Sequence, residues 1–204
     1  MKKLLAILTL FCLLLSGCTY SIVLEPRETA APSPTGETLS VHFIDVGQAD
    51  CALLECGGEY MLIDAGEPSA SAAVVDYLND RGIDRLEYIV CSHAHADHCG
   101  GLDAVVENFE VGTVFTSPYA GSSPSYEIFL EAVENKGLEL TVPTIGESFK
   151  LGEAEFEFTG PLEEYDNLND DSLVMRLEYG ETSFLFTGDM TSKAERDLVE
   201  DGAD

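Results

Sequence analysis

From Leu39 onward, apolar runs of strand or helix length follow one another, separated by glycines and polar turns. The pattern predicts strands at 39–45, 51–56, 59–64, 86–91, 111–116, 138–142, 147–151, 153–159, 172–179 and 182–187, and helices at 69–79, 100–109, 125–135 and 192–199. Because strands alternate with helices, we predict one α/β domain over residues 39–204, which is long enough to bury a real core.

Turn and cap residues mark the ends of several of these elements. Gly57-Gly58 and Gly180-Glu181 predict hairpins between neighbouring strands. Ser125 is the predicted N-cap of the third helix, and Gly137 is its predicted stop.

The first residues predict an export signal. Lys2 and Lys3 precede the apolar run Leu4–Leu15, which is too short for a bilayer span of about 20 residues. The run ends in Leu-Ser-Gly-Cys18, which resembles a bacterial lipobox. We therefore predict a lipoprotein signal peptide over residues 1–17 and a lipid on Cys18. The alternative is an ordinary cleaved secretory signal in which this cysteine has no role.

The segment after the signal predicts a tether. Residues 18–38 contain three prolines, Gly36 and several Ser and Thr residues, with no sustained apolar period. A flexible tether after the lipidated Cys18 predicts a protein anchored to the cell membrane on its extracytoplasmic side.

The composition is strongly acidic, with 38 Asp and Glu residues against 10 Lys and Arg and a formal net charge of −28. Removal of residues 1–17 would take two lysines and no acid, which leaves 8 basic residues and a charge of −30. Such a surface repels nucleic acid, because Lys and Arg make most phosphate contacts. The charge therefore argues against tight DNA binding and favours solubility at a cell surface.

Three of the four histidines lie in the run His93-Ala-His95-Ala-Asp97-His98. Neutral imidazole and carboxylate groups are the ligands that zinc and similar divalent ions prefer. Four such groups in six residues cannot share one face of a strand or helix, so they require a tight loop. Because a predicted strand precedes the run and a predicted helix follows it, we predict a metal site on a strand-to-helix loop.

Cysteine chemistry stays open at this point. In an exported domain Cys51, Cys56, Cys91 and Cys99 allow three disulfide pairings, and none has CxxC spacing. Cys91 and Cys99 flank the histidine run and are candidates for soft metal ligands. Burial as small apolar residues is the favoured reading.

The histidine run resembles the HxHxDH signature of the metallo-β-lactamase-fold hydrolases. The stretch 41–50, VHFIDVGQAD, resembles the opening strand and turn of one branch, which contains the hydrolase domain of the DNA-uptake protein ComEC. The segments LIDAG at 62–66, NDDSLV at 169–174 and FLFTGD at 184–189 resemble later motifs of that branch. The resemblance covers the chain from about Leu39 to its end.

The resemblance implies an αββα sandwich of two sheets between helix layers, with two divalent metals, expected to be zinc or else manganese, at one sheet edge. His93 and His95 would hold one metal, and Asp97 and His98 the other. Asp189 would be the bridging carboxylate, and Asp97 would also orient the attacking hydroxide. Relatives continue with further strands and a metal-binding histidine, so we expect a sandwich that is incomplete at its C-terminus and that has weak activity or none.

The chain departs from the family pattern in one respect. Many relatives place a third histidine between the HxHxDH run and the bridging aspartate, and here that region contains none. The segment Asn169, Asp170, Asp171 and Ser172 occupies that part of the chain and is expected next to the metal or the substrate. Asp170 or Asp171 would be a ligand or else part of a solvated acidic turn. His42 is expected to be structural, and Asp64 to brace the metal loop.

These features predict a lipid-anchored, extracytoplasmic hydrolase that cleaves a phosphodiester with metal-held hydroxide. The substrate is a small molecule or a nucleic acid, and the sequence indicates no protein partner. One alternative is hydrolysis of an amide, lactam or thioester. A second alternative is an inactive, metal-poor domain that only binds a surface partner.

Overall fold

The computed structural model describes residues 38–119 and 121–202, so the predicted signal peptide, Cys18 and nearly all of the predicted tether lie outside the described residues. Ten strands are found in this part of the chain: β1 (Leu39–Phe43), β2 (Ala52–Cys56), β3 (Glu59–Ile63), β4 (Arg85–Cys91), β5 (Glu110–Thr116), β6 (Leu140–Thr141), β7 (Ser148–Leu151), β8 (Ala154–Gly160), β9 (Val174–Tyr179) and β10 (Thr182–Phe186). They form a six-stranded sheet in the order β1-β2-β3-β4-β5-β6 and a four-stranded sheet in the order β10-β9-β8-β7.

The helices are α1 (Ser71–Asp80), the single turn α2 (Ala96–Cys99), α3 (Leu102–Asn108), α4 (Pro124–Asn135) and α5 (Ser192–Asp201). The predicted helix at 100–109 is found as α3, over residues 102–108, whereas the single turn α2 lies before it in the histidine run and was not predicted. The predicted strand at 138–142 shrinks to two residues. In the described part of the chain, no helix has both the length and the apolar character that a membrane crossing requires.

Residue alternation along the central strands builds two cores on opposite faces of the six-stranded sheet. Leu53, Leu62 and Ile89 face the core that contains α1, α3 and α4. Their neighbours along the strands, such as Leu54 and Val90, face the core shared with the second sheet. Both faces are apolar, as expected for a sheet covered on both sides.

The second sheet completes the layers. Phe156, Phe158 and Leu177 pack against the first sheet. On its other side, the buried Leu198 of α5 lies against Gly160. The order of layers is helices, sheet, sheet, helix, which confirms the predicted αββα sandwich.

The site is determined by the ends of the parallel strands. β3, β4, β5 and β6 are parallel, so the loops that follow them emerge at one edge of the sheet. The segment before β9 joins this edge to the second sheet. There the N–H of Leu173 donates to the carbonyl of Ser92 (2.9 Å), and Ser117 Oγ donates to the carbonyl of Asp171 (2.6 Å).

The predicted N-cap of α4 is wrong by two residues. Ser123 is the N-cap, and its hydroxyl accepts a hydrogen bond from the N–H of Tyr126. Pro124 occupies the first turn, where its fixed φ suits a helix start, and Ser125 lies inside the helix. The predicted stop at Gly137 is confirmed, since the helix ends two residues earlier and Gly137 has φ +73°.

Gly101 allows the chain after the histidine run to approach the loop after β3. A β-carbon at this position would lie 2.4 Å from the carbonyl oxygen of Ala65, so the backbone would have to move. We predict that Gly101→Ala lowers the free energy of unfolding by about 1–3 kcal/mol, the usual range for overpacking.

Urea unfolding would measure this change. The matched control is Gly121→Ala, whose new methyl would meet only the flexible end of Leu168 and should cost less than about 0.5 kcal/mol. Equal stability losses in the two variants would contradict the steric argument.

Candidate metal centre

The histidine run leaves β4 and enters the short helix α2. His93 is separated from the end of the strand by Ser92 alone, His95 is the N-cap of α2, and Asp97 and His98 lie within its single turn. The imidazoles of His93 and His98 are 1% and 2% exposed. The structure therefore turns these two side chains inward, as a tight ligand loop requires.

Two histidines and one carboxylate meet at the sheet edge. One ligand atom each from His93, His98 and Asp189 lies within 4.8 Å of the other two. His98 Nε2 is 3.3 Å from Asp189 Oδ1, and His95 Nδ1 is 3.0 Å from His93 Nε2. Buried imidazoles beside a carboxylate are a donor set suited to a divalent transition metal, so the residues present fit such an ion.

Asp189 reaches this point from the second sheet. It follows β10 after Thr187 and Gly188, and its side chain is 40% exposed. Asp97 is not among the three residues that converge most closely. The predicted division of ligands between two metals, and the role of Asp97 toward hydroxide, stay predictions.

Asp64 braces the histidine loop through hydrogen bonds to its carboxylate. It directly follows β3, with φ +55°, and its carboxylate accepts hydrogen bonds from the N–H of Ser92 (2.8 Å), the hydroxyl of Ser92 (2.6 Å) and Nδ1 of His98 (2.8 Å). Because a carboxylate only accepts, His98 must carry its proton on Nδ1. Asp64 is therefore the loop-bracing acceptor that the sequence predicts, and it also orients a candidate ligand.

Asp64 also orients His93, through the hydroxyl of Ser92 that lies between them. The hydroxyl of Ser92 donates to Asp64, so its oxygen is free to accept from Nδ1 of His93 at 3.1 Å. Both imidazoles then keep their Nδ1 proton and direct Nε2 toward the neighbouring candidate ligands.

The surroundings shift the pKa values of the two buried histidines in opposite directions. Burial, followed by the nearby charge of His98, lowers the pKa of His93 to about 4. Burial alone would lower the pKa of His98 as well. Its hydrogen bond to Asp64 and the negative charges of Asp64 and Asp189 outweigh that effect and raise the pKa of His98 to about 9.

The turn at Asp45–Asp50 lies beside the metal loop. The N–H of Asp50 donates to the carbonyl of Asp97 (3.2 Å), and the carbonyl of Asp50 accepts from Gly66 (2.9 Å). Asp50 also interacts electrostatically with His98, Asp64, Asp189 and Asp97.

The segment Asn169–Ser172 divides into two kinds of residue. The carboxylate of Asp170 accepts from the N–H and hydroxyl of Thr191, and that of Asp171 accepts from the N–H of Tyr165. Both aspartates are buried, so the segment is not a solvated acidic turn, and both carboxylates are engaged in holding loops. Ser172 alone reaches a candidate ligand, with its hydroxyl 3.3 Å from Nδ1 of His93.

The cysteines and the fourth histidine lie in structural positions. Cys51, Cys56, Cys91 and Cys99 are all free and buried. Burial raises the pKa of the Cys91 thiol, and raises that of Cys99 to about 11, and neither thiol is among the three groups that converge at the site. His42, on β1 of the first sheet, shares a hydrogen bond with the hydroxyl of Tyr77 in α1 (3.2 Å), as a structural histidine would.

The site and fold match a known family. The model described as the metallo-beta-lactamase superfamily matches residues 44–203. The chain belongs to the metallo-beta-lactamase superfamily. Membership supports a metal-dependent hydrolase that binds divalent ions at this centre.

Two competence proteins are similar in sequence. Competence protein ComA of Neisseria gonorrhoeae is 31% identical over 158 residues, which are 76% of this chain and 20% of that protein. ComE operon protein 3 of Bacillus subtilis (strain 168) is 24% identical over 178 residues, which cover 78% of this chain and 23% of that protein. The resemblance to the competence branch is confirmed, and the chain spans less than a quarter of either relative.

Solved structures agree on the fold. A mutant of the Cronobacter sakazakii metallo-beta-lactamase with the HARLDQ motif has a TM-score of 0.55 at 15% identity and covers 72% of this chain and 58% of its own. Rm3 metallo-beta-lactamase has a TM-score of 0.51 at 18% identity and covers 71% and 56%. At this identity the likeness shows the fold alone, so it does not identify the substrate.

Asp64→Asn tests the bracing carboxylate. Asparagine tolerates the same positive φ, but its amide replaces an acceptor with a donor that faces Ser92 and His98. We predict that metal affinity falls about 10- to 100-fold and that the free energy of unfolding falls by about 1–3 kcal/mol. Chelator competition and urea unfolding would measure the two changes.

The control for this variant is Asp45→Asn. Asp45 is exposed and accepts one hydrogen bond, from the N–H of Gly47 in the neighbouring turn. It should leave metal affinity within about twofold, as expected for a surface position. Wild-type affinity in Asp64→Asn would show that the Asp64 carboxylate does not orient the ligands.

Proposed function

We propose that this chain is an extracytoplasmic, lipid-anchored, metal-dependent hydrolase that cleaves phosphodiesters. The observation that carries the proposal is the convergence of buried His93 and His98 with Asp189 where the two sheets meet. The similarity to competence proteins supports the phosphodiester over a lactam, because the solved lactamases share the fold at low identity only.

The proposed ligands are His93, His95, Asp97, His98 and Asp189, which would hold two divalent ions, zinc or else manganese. A bound ion would polarise a phosphoryl oxygen and supply a water acidic enough to attack near neutral pH. The residues of the chain orient this chemistry. Asp64 and Ser92 hold the Nδ1 protons of the two buried imidazoles, so that both Nε2 atoms face the centre.

One side of the centre is buried and the other side is exposed to solvent. The two buried imidazoles form its floor, whereas the Asp189 side chain is 40% exposed. The open side of the centre is therefore that of Asp189 and the loop after β10, and we place the approach of a substrate there. Asp97, on the first turn of α2, would orient the attacking water, as the family resemblance implies.

The charge around the centre favours a small substrate. A cavity of about 200 Å³ lies next to it, and its lining includes Asp50, Asp64, Phe43 and Leu185 but no Lys or Arg. A long nucleic acid needs several basic contacts to its phosphates. With a net charge of −28, the chain is better suited to a small phosphodiester than to a DNA strand.

We further propose that Cys18 carries the lipid and that the residues after it are the tether. The support comes from the sequence alone, since this part of the chain lies outside the described residues. An anchored, acidic enzyme of this kind would meet small substrates outside the cytoplasm.

Metal content and turnover test the hydrolase. The purified full chain, supplied with Zn²⁺ or Mn²⁺, should bind metal and slowly hydrolyse bis(p-nitrophenyl) phosphate. His95→Ala should lose most of the metal by elemental analysis. Asp189→Asn should lower turnover at least about 100-fold, because a metal-site carboxylate supports several kcal/mol of transition-state stabilisation.

The matched control is Asp80→Asn, an exposed aspartate at the end of α1 that should behave as wild type. Less than a tenth of an equivalent of metal in the wild type would favour the inactive binding domain. Robust turnover of a lactam, amide or thioester with none of the phosphodiester would favour the other class of hydrolase.

Cys18→Ala tests the anchor. The variant should keep its signal peptide and incorporate no labelled fatty acid, because the lipidated cysteine defines the cleavage position. Gel mobility and metabolic labelling in a bacterial host would measure both, with Cys12→Ala as the control inside the signal. A Cys18→Ala protein that is processed normally and still partitions into detergent would refute this anchor.

A further inference from the structure

The hydroxyl of Ser172 lies between the two halves of the metal centre. Ser172 is fully buried and comes just before β9 of the second sheet. His93 belongs to the loop after β4 of the first sheet, and Asp189 to the loop after β10 of the second. Among the described residues, Ser172 contacts both of these candidate ligands by hydrogen bonds.

The hydrogen bonds of Ser172 use the full capacity of its hydroxyl. A serine hydroxyl donates one hydrogen bond and accepts two. Ser172 Oγ donates to the carbonyl of Asn169 (2.7 Å) and accepts from the backbone N–H of Asp189 (3.2 Å). One acceptor position remains for the Nδ1 proton of His93, at 3.3 Å, and Ser172 shares this proton with Ser92 Oγ at 3.1 Å in a three-centre hydrogen bond.

Close packing keeps this hydroxyl in place. Gly188 precedes Asp189 with φ +48°, and a β-carbon there would lie 2.8 Å from Ser172 Oγ and 3.1 Å from Ser92 Cβ. The loop that carries Asp189 therefore packs directly against Ser92 and Ser172, the two serines whose hydroxyls contact His93. A larger residue at Gly188 would separate them.

The backbone around Ser172 is fixed to the first sheet on both sides. The carbonyl of Asp171 accepts from the hydroxyl of Ser117 (2.6 Å), and the N–H of Leu173 donates to the carbonyl of Ser92 (2.9 Å). These bonds fix the backbone of the segment to the first sheet. The hydroxyl of Ser172 then connects this segment to His93 and Asp189.

We propose that Ser172 is a positioning residue for the metal centre, whose hydroxyl fixes His93 and Asp189 relative to each other across the junction of the two sheets. The inference rests on the proposed metal-dependent function. It assigns a role to the segment that stands where many relatives have a third histidine, although serine is not itself offered as a ligand. The hydroxyl instead aligns two ligands that come from different sheets.

The test is the affinity of the full chain for Zn²⁺, measured by chelator competition, and the visible absorption spectrum with Co²⁺. Ser172→Ala should weaken Zn²⁺ binding about 10- to 100-fold, the range found when groups that orient metal ligands are removed. The Co²⁺ spectrum should change as well, because the ligands would no longer be held in one arrangement.

Ser117→Ala is the matched control. It also removes one buried serine hydroxyl that holds the same segment, but Ser117 contacts no candidate ligand. It should lower thermal stability while Zn²⁺ affinity and the Co²⁺ spectrum stay at wild-type values. If Ser172→Ala does not fold, Ser172→Gly also removes the hydroxyl, adds no group that could bind the metal, and carries the same expectation.

Wild-type affinity and spectrum in a folded Ser172 variant would overturn the inference. An equal loss of affinity in Ser117→Ala would also overturn it, because the effect would then be that of any buried hydrogen bond in the segment. A wild-type chain that binds neither ion would instead overturn the proposed function, together with this inference.

Discussion

The carboxylate of Asp64 is the group on which the candidate centre depends. It is 1% exposed, and a buried carboxylate is costly unless hydrogen bonds compensate for the lost water. Ser92 supplies two such bonds and His98 a third. The same bonds that stabilise the buried charge orient the imidazoles. Stability of the loop and geometry of the site therefore have one cause.

The position of Asp64 follows from the sheet. β3 and β4 are parallel neighbours, so the residues just beyond them lie side by side at one edge. Asp64 follows one strand and Ser92 the other, which brings together two residues that are 28 positions apart in the chain. The second sheet then adds Asp189 from the loop after β10, and the segment before β9 ties that loop to the first sheet. The centre exists only where the two sheets meet.

Local patterns in the sequence were sufficient for the elements and for the ligand loop. Alternation along strands such as 51–56, the glycine hairpins and the HxHxDH run each depend on neighbouring residues, and the structure bears out the α/β sandwich. Contacts between distant residues could not be derived in this way. Nothing near Ser172 indicates that its hydroxyl meets His93, 79 positions away. The buried roles of Asp170 and Asp171 were missed for the same reason, because an acidic run resembles a solvated turn until its partners are known. The cap of α4 was misplaced for a local reason, since Pro124 begins the helix earlier than Ser125.

The fold of the centre and the charge around it bear on different parts of the proposed function. The arrangement of His93, His98 and Asp189 comes from the fold, and in the proposed function it would serve hydrolysis in general, because an ion held there would polarise many kinds of ester or amide. Which substrate arrives depends on what surrounds that centre. Here the surroundings carry carboxylates and apolar side chains, and the chain as a whole has nearly four acidic residues for each basic one. A DNA strand would have to approach this surface against long-range repulsion, with few cations to hold its phosphates. In the function that we propose, similarity to competence proteins supports the type of bond that is cleaved, whereas the charge of this chain limits the size of the molecule that contains the bond.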